Sequence, residues 1–146
     1  MMWRKLKSFF RKPGRKRVLD EAGLERLEQK FTGTVGLINL DYADVQILRK
    51  GEAAFLWESP PCASMDEMMS LASLAAAEMA PKRGWKIVSA LLYVNLAWDE
   101  SLECVDEIFR VIQRTIPEDV DIIFGCEFGE KRSFLLAASE ERAEAR

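Results

Sequence analysis

The sequence predicts an α/β domain: a four-stranded mixed sheet, mainly parallel and closed by a hairpin, with two crossover helices. A further helix and a basic amphipathic arm precede it. Three observations point to this class. Amphipathic and apolar segments follow one another in the order helix, loop, strand, helix, strand, helix, strand, strand. Residues 86–96, Lys-Ile-Val-Ser-Ala-Leu-Leu-Tyr-Val-Asn-Leu, form a nearly continuous apolar run, the pattern of a central strand buried on both faces. A chain of 146 residues, 49% apolar and 31% charged, also fits one ordinary soluble domain.

The elements divide the chain into an arm (1–17), a folded body (18–139) and a polar tail (140–146) that is expected to fray. Residues 18–31 read as a helix with Leu24, Leu27 and Phe31 in a stripe, Asp20 and Glu21 at its start, and Thr32-Gly33-Thr34 after its end. Residues 53–58 read as a strand stopped by Pro60-Pro61. Ser64-Met65-Asp66-Glu67 has the Ser-x-x-Glu spacing of a capping box, and the helix behind it runs to Pro81 with Met68, Met69, Ala72, Ala75, Ala76 and Met79 as its apolar stripe, read as core filling. After the central strand, Asp99 is the expected cap of a helix with Leu102, Val105, Ile108, Phe109 and Ile112 on one side. Residues 120–124 and 134–138 are the last strands, joined through the turn at Gly129-Glu130-Lys131.

Composition excludes several chemistries. The chain has no histidine, so it holds no Ser-His-Asp triad, no Cys-His pair and no imidazole metal ligand. Cys62, Cys104 and Cys126 are too far apart in sequence for a CxxC motif or a four-cysteine zinc site, and an odd number argues against a disulfide framework. Free cysteines suit a reducing cytoplasm. The eight glycines are dispersed and form no phosphate-binding loop, so neither a cofactor nor a metal is expected.

Charge is distributed unevenly. Residues 1–17 hold eight Lys/Arg and no acid, while residues 18–146 hold 13 basic and 24 acidic side chains. Within the arm, Met2, Trp3, Leu6, Phe9 and Phe10 fall on one helical face, and Arg4, Lys5, Lys7, Arg11 and Lys12 fill the other and its borders. Pro13-Gly14 stops that helix, and Arg15-Lys16-Arg17 extends the cationic stretch. The run is too short to span a bilayer, which needs ~20 apolar residues, and too charged for a secretory signal. It suits an anionic membrane surface, where aromatics bury at headgroup depth and cations face lipid. Packing of the apolar face on the body, a nucleic-acid arm and a transit peptide are the alternatives. Nucleic acid is not the expected partner, because the aromatics do not interleave as a stacking track.

The segment with most chemistry is Asn39-Leu40-Asp41-Tyr42-Ala43-Asp44, one amide and two carboxylates within six residues. If a helix begins at Tyr42, Asp41 is its cap and Asp44 lies in its first turn, so spacing alone favours a capping device. With its flanks, Gly36-Leu37-Ile38-Asn39-Leu40-Asp41-Tyr42-Ala43-Asp44-Val45 closely resembles the synergy loop of FtsZ, the tubulin-like GTPase of prokaryotic cell division. The elements over roughly residues 20–139 are similar in order and spacing to the FtsZ C-terminal domain, a fold related to that of tubulin.

The resemblance implies a small sheet with helices that, in that family, sits beside a separate GTP-binding domain. It implies head-to-tail filaments in which this loop enters the neighbour's nucleotide site and its acids position the attacking water. Here those roles would fall to Asp41 and Asp44, with Asn39 near the nucleotide, acting in trans. The GTP-binding domain and its glycine-rich signature are not in this sequence, so the chain alone is expected to bind and hydrolyse no GTP. Leu96-Ala97-Trp98 stands where FtsZ often has a glycine-rich turn. The expectation is a regulator of an FtsZ-type GTPase, not itself an enzyme. It would dock on a filament end and be held peripherally at the inner face of the cell membrane. The alternatives are a scaffold module whose acids only cap a helix and, last, an enzyme on the same fold.

Overall fold

The computed structural model describes residues 14–31 and 40–143. Residues 2–12 of the arm, which carry the proposed membrane face, lie outside the described residues, as do Gly36 to Asn39 of the loop. The described elements are β1 (Arg17–Val18), α1 (Glu21–Phe31), α2 (Tyr42–Val45) running into a 3-10 turn (Gln46–Arg49), β2 (Ala53–Glu58), α3 (Met65–Glu78), β3 (Trp85–Ala97), α4 (Leu102–Gln113), β4 (Ile122–Gly129) and β5 (Ser133–Arg142).

The sheet has five strands, not four, in the order β1-β2-β5-β3-β4. β2, β3 and β4 share one direction and are linked through α3 and α4, so both crossover helices are present. The closing hairpin is not. β5 pairs antiparallel with β2 on one side and β3 on the other, while β4 pairs only with β3, in parallel, at the edge. The sheet is therefore mixed, with a single parallel pair, β3 with β4. The physical reason is burial. Phe134–Ala138 is an unbroken apolar run buried on both faces, which only a central strand allows, and a hairpin on β4 would have left it at the edge.

Local chemistry explains most boundaries. Asp20 starts α1 by accepting from the Gly23 amide at 2.8 Å. Ser64 Oγ accepts from the Glu67 amide at 3.2 Å, but the Glu67 carboxylate reaches back to the Ala63 amide (3.1 Å) instead of that of Ser64, so only half of the expected box forms. Asp99 does not cap α4. Glu100 accepts from the Ala97 amide at 2.8 Å and binds Arg132 at 2.7 Å, which folds 97–100 into a turn and moves the N-cap to Ser101.

Strand alternation sends two apolar sets to opposite faces. Ala90, Leu92, Val94 and Leu96 of β3, with Phe134, Leu136 and Ala138 of β5, meet α3 and α4 around Trp57, Met68, Ile108 and Ile112. Leu91, Tyr93, Leu135 and Ala137 meet α1 and the 40–48 segment around Phe31, Val45 and Leu48. The result is a three-layer sandwich, helices over both faces of one sheet.

Both ends of the body depart from the sequence pattern. β5 runs on to Arg142, so part of the expected polar tail is sheet, and Ser139 and Glu140 are buried. The partner of Glu140 is Lys16, 2.6 Å away, whose ammonium also lies 4.3 Å from the Phe55 ring centroid. Arg17 joins β1 and pairs with Glu58 at 2.9 Å. Two cations of the 1–17 stretch are thus committed to the fold. Gly14 marks the root of the arm. Its φ is +89°, and a Cβ there would lie 2.8 Å from the Trp57 ring, so glycine is needed on both counts.

Candidate functional site

The acidic pair sits at the start of α2. Asp41 is the N-cap in an extended conformation, and the two carboxylates close a reciprocal box. The Asp44 amide donates to Asp41 Oδ1 at 3.0 Å and the Asp41 amide donates to Asp44 Oδ2 at 2.9 Å. The second oxygen of each carboxylate has no hydrogen-bond partner among the described residues. Asp41 and its neighbour Tyr42 are exposed, the latter by 57%. Asn39 lies outside the described residues, so the structure brings Asp41 and Asp44 together but does not place the amide.

A four-residue helix does not hold itself together. This one is held from below and from the side. Leu40, Val45 and Leu48 are buried against Leu91, Tyr93 and the α1 stripe. Arg49 forms ion pairs with Glu21 and, at 2.9 Å, with Glu28, while Gln46 donates to Glu28 at 2.7 Å and accepts from Arg49 Nε at 2.8 Å. The hydrogen bond from Arg49 draws the Glu21 carboxyl below its usual range, and the two carboxylates in turn hold Arg49 protonated. The acids thus stand on a pedestal fixed to α1.

Beneath it, the Tyr93 ring tilts against Phe31 at 4.8 Å, and its hydroxyl is buried without a hydrogen-bond partner among the described residues. Burial, and then the nearby Glu127 carboxylate, push this phenol well above its usual value. No group of three or more Cys, Asp or Glu among the described residues could hold a metal. Burial raises the Cys62 thiol, the opposite of an activated nucleophile.

A second feature escapes the sequence pattern. Leu102, Val105, Phe109 and Phe124 line a groove of about 270 Å³ between α4 and the edge strand β4, with Asp106 at its rim. Leu102 and Phe124, which periodicity would place inside, are exposed. Trp98, in the segment that stands for the glycine-rich turn, is 72% exposed. The edge position of β4 is what leaves the groove open, and that is set by pairing and not by local pattern. No helix among the described residues is long and apolar enough to cross a membrane.

No family model and no curated protein sequence matches the chain. Solved structures do. The chain is similar to an empty FtsZ dimer from M. jannaschii with TM-score 0.55 and 22% identity, over 80% of this chain and 39% of that one. It is similar to a tryptophan-to-tyrosine variant of FtsZ from M. jannaschii with TM-score 0.60 and 19% identity, over 84% of this chain and 38% of that one. The chain therefore has an FtsZ-like, tubulin-related fold and spans about two fifths of the length of the FtsZ chains it matches.

Proposed function

We propose that the protein is an accessory factor of an FtsZ-type GTPase. It docks on a filament end through the loop that leads into Asp41 and modulates assembly or hydrolysis in trans. The observation that carries this is a carboxylate pair closed into a reciprocal box, Asp41 exposed and Asp44 half-buried, on an FtsZ-like fold, in a sequence without a phosphate-binding glycine loop. Such a pair can orient water beside metal-bound phosphate supplied by another protein. The arm, through Trp3, Phe9, Phe10 and its cations, holds the protein at an anionic membrane.

The test mixes the protein with FtsZ of the same organism and GTP, and follows hydrolysis and pelleting of filaments. A change in either is expected. No change in both, with no co-sedimentation, overturns the proposal. Asp41→Asn with Asp44→Asn keeps acceptors for the cap while removing the charge, so loss of the GTPase effect in a folded variant supports chemistry in trans. A retained effect favours the second reading, a scaffold module on the same fold. The reciprocal box itself supports that reading, because it gives both acids a purely structural task.

A further inference from the structure

We infer that the Lys82–Lys86 turn, with the cleft it shares with the root of the arm, is a second contact for an anionic lipid surface. It would set how the folded body sits on the membrane. The inference rests on the membrane part of the proposed function. Lys82, Arg83 and Lys86 are exposed around the turn, where Gly84 has φ +88° and open space on the side of a Cβ. The turn is closed by Trp85 N–H to Lys82 O (2.9 Å) and tied to the end of β5 by Ala143 N–H to Gly84 O (2.8 Å). Trp85 is half-buried, with the Arg142 guanidinium 5.5 Å from its ring centroid.

The carboxylates around the patch are largely engaged. Glu141 faces Lys86 at 3.5 Å, Glu52 faces Arg142 at 4.0 Å, Glu140 holds Lys16, and Glu78 accepts from Trp57 Nε1 at 3.2 Å. Lys82 and Arg83 form no ion pair among the described residues. In residues 18–146, where acids outnumber bases 24 to 13, Lys82 and Arg83 make a cationic tip without an ion-pair partner among the described residues, beside a tryptophan. That is the chemistry of a membrane interface.

The patch also continues into the arm. Lys16, Val18, Glu78, Lys82, Trp85 and Glu140 are among the residues that line one cleft of about 420 Å³, and Val18 is 71% exposed. Lys16 Nζ donates to Ala80 O at 3.4 Å, next to the turn. Lys16, at the root of the arm, therefore shares one cleft with the turn. One half-buried tryptophan offers no stacking track for single-stranded nucleic acid.

The experiment measures co-sedimentation of the full chain with vesicles of phosphatidylglycerol and phosphatidylcholine. Lys82→Gln with Arg83→Gln is expected to weaken binding by about tenfold. Arg114→Gln with Lys131→Gln, which makes the same change in net charge at exposed positions elsewhere, is expected to leave it within about twofold. Thermal melts check that both variants fold. Equal weakening in both variants, or none in the turn variant, overturns the inference, as does a turn variant that loses oligonucleotide binding but keeps vesicles. A Trp3→Ala, Phe9→Ala, Phe10→Ala variant separates the two contacts. If it loses binding while the turn variant keeps it, the arm stands and only the second contact falls. If the intact chain binds no vesicles, the membrane tether itself fails.

Discussion

The face of the sheet beneath α3 and α4 is covered by helices of 14 and 12 residues. The opposite face is covered by the 11-residue α1 and two four-residue helical turns. The first face is an apolar contact, with Trp57 stacked on Phe134 at 5.4 Å and Ile108 and Ile112 fully buried. The second carries the acidic pair, and it relies on a surface network of Arg49, Gln46, Glu21 and Glu28 and tolerates an unpartnered Tyr93 hydroxyl. The difference separates two tasks. One face supplies stability through long helices, and the other gives up some of it to present a short, exposed turn.

The comparison is broken most severely from the stable face. Trp57→Ala removes the side chain that stacks on Phe134 and roofs the arm root at Gly14, and is expected to cost about 3–5 kcal/mol by denaturant unfolding. A smaller loss would mean that the arm root collapses into the gap.

On the other face, Leu48→Ala is expected to cost about 2–5 kcal/mol, because Leu48 is buried under the pedestal. It should also abolish any effect on a partner GTPase while Asp41 and Asp44 remain. If the effect persists in the folded variant, the pedestal does not position the acids.

Asp41→Ala is expected to cost about 1 kcal/mol through the lost cap, and Asp41→Asn much less. Chemical denaturation of the two variants separates the cap from the charge.

Tyr93→Phe sharpens the contrast through pH. Its hydroxyl is buried near the Glu127 carboxylate without a well-aligned hydrogen bond, so at neutral pH the change should stay within about 1 kcal/mol. The folded phenol titrates above its ordinary value of 10.0, so above that pH the unfolded chain releases a proton that the folded one keeps. The contribution is complete below the unfolded value and is lost as pH rises past it. The wild type should therefore weaken in alkali more steeply than Tyr93→Phe, and equal slopes would show that the phenol is not buried in solution.

The smallest effect is expected at Arg49→Gln, since exposed ion pairs contribute little. Glu21 titrates below its ordinary value because of Arg49, so its part is present above the unfolded value and lost as pH falls through the folded one. Acid unfolding curves of wild type and variant should converge at low pH.

Much was legible in the chain because it is local. Ala53–Glu58 is the strand that the sequence predicts, β3 follows its apolar run to within a residue at either end, and α3 begins at Met65 as its cap requires. Asp41 caps a helix at Tyr42 because a carboxylate three residues from an amide needs nothing from the rest of the molecule. The likeness to FtsZ, read from one loop and from the order and spacing of the elements, agrees with an FtsZ-like fold over 80% and 84% of the chain in the two matches.

Tertiary structure alone decided the rest. Nothing near β5 says that it enters between β2 and β3, because strand order is a competition among distant partners for two buried faces. Glu140 looks like part of a solvated tail until Lys16, 124 residues away, comes within 2.6 Å. Glu100 draws the start of α4 away from Asp99 only because Arg132 arrives from the link between β4 and β5. Sequence determines what each segment prefers by itself, since periodicity and capping act over a few residues. Which edges stay open, which charges are buried and where an arm leaves the body are set by contacts between segments far apart in the chain.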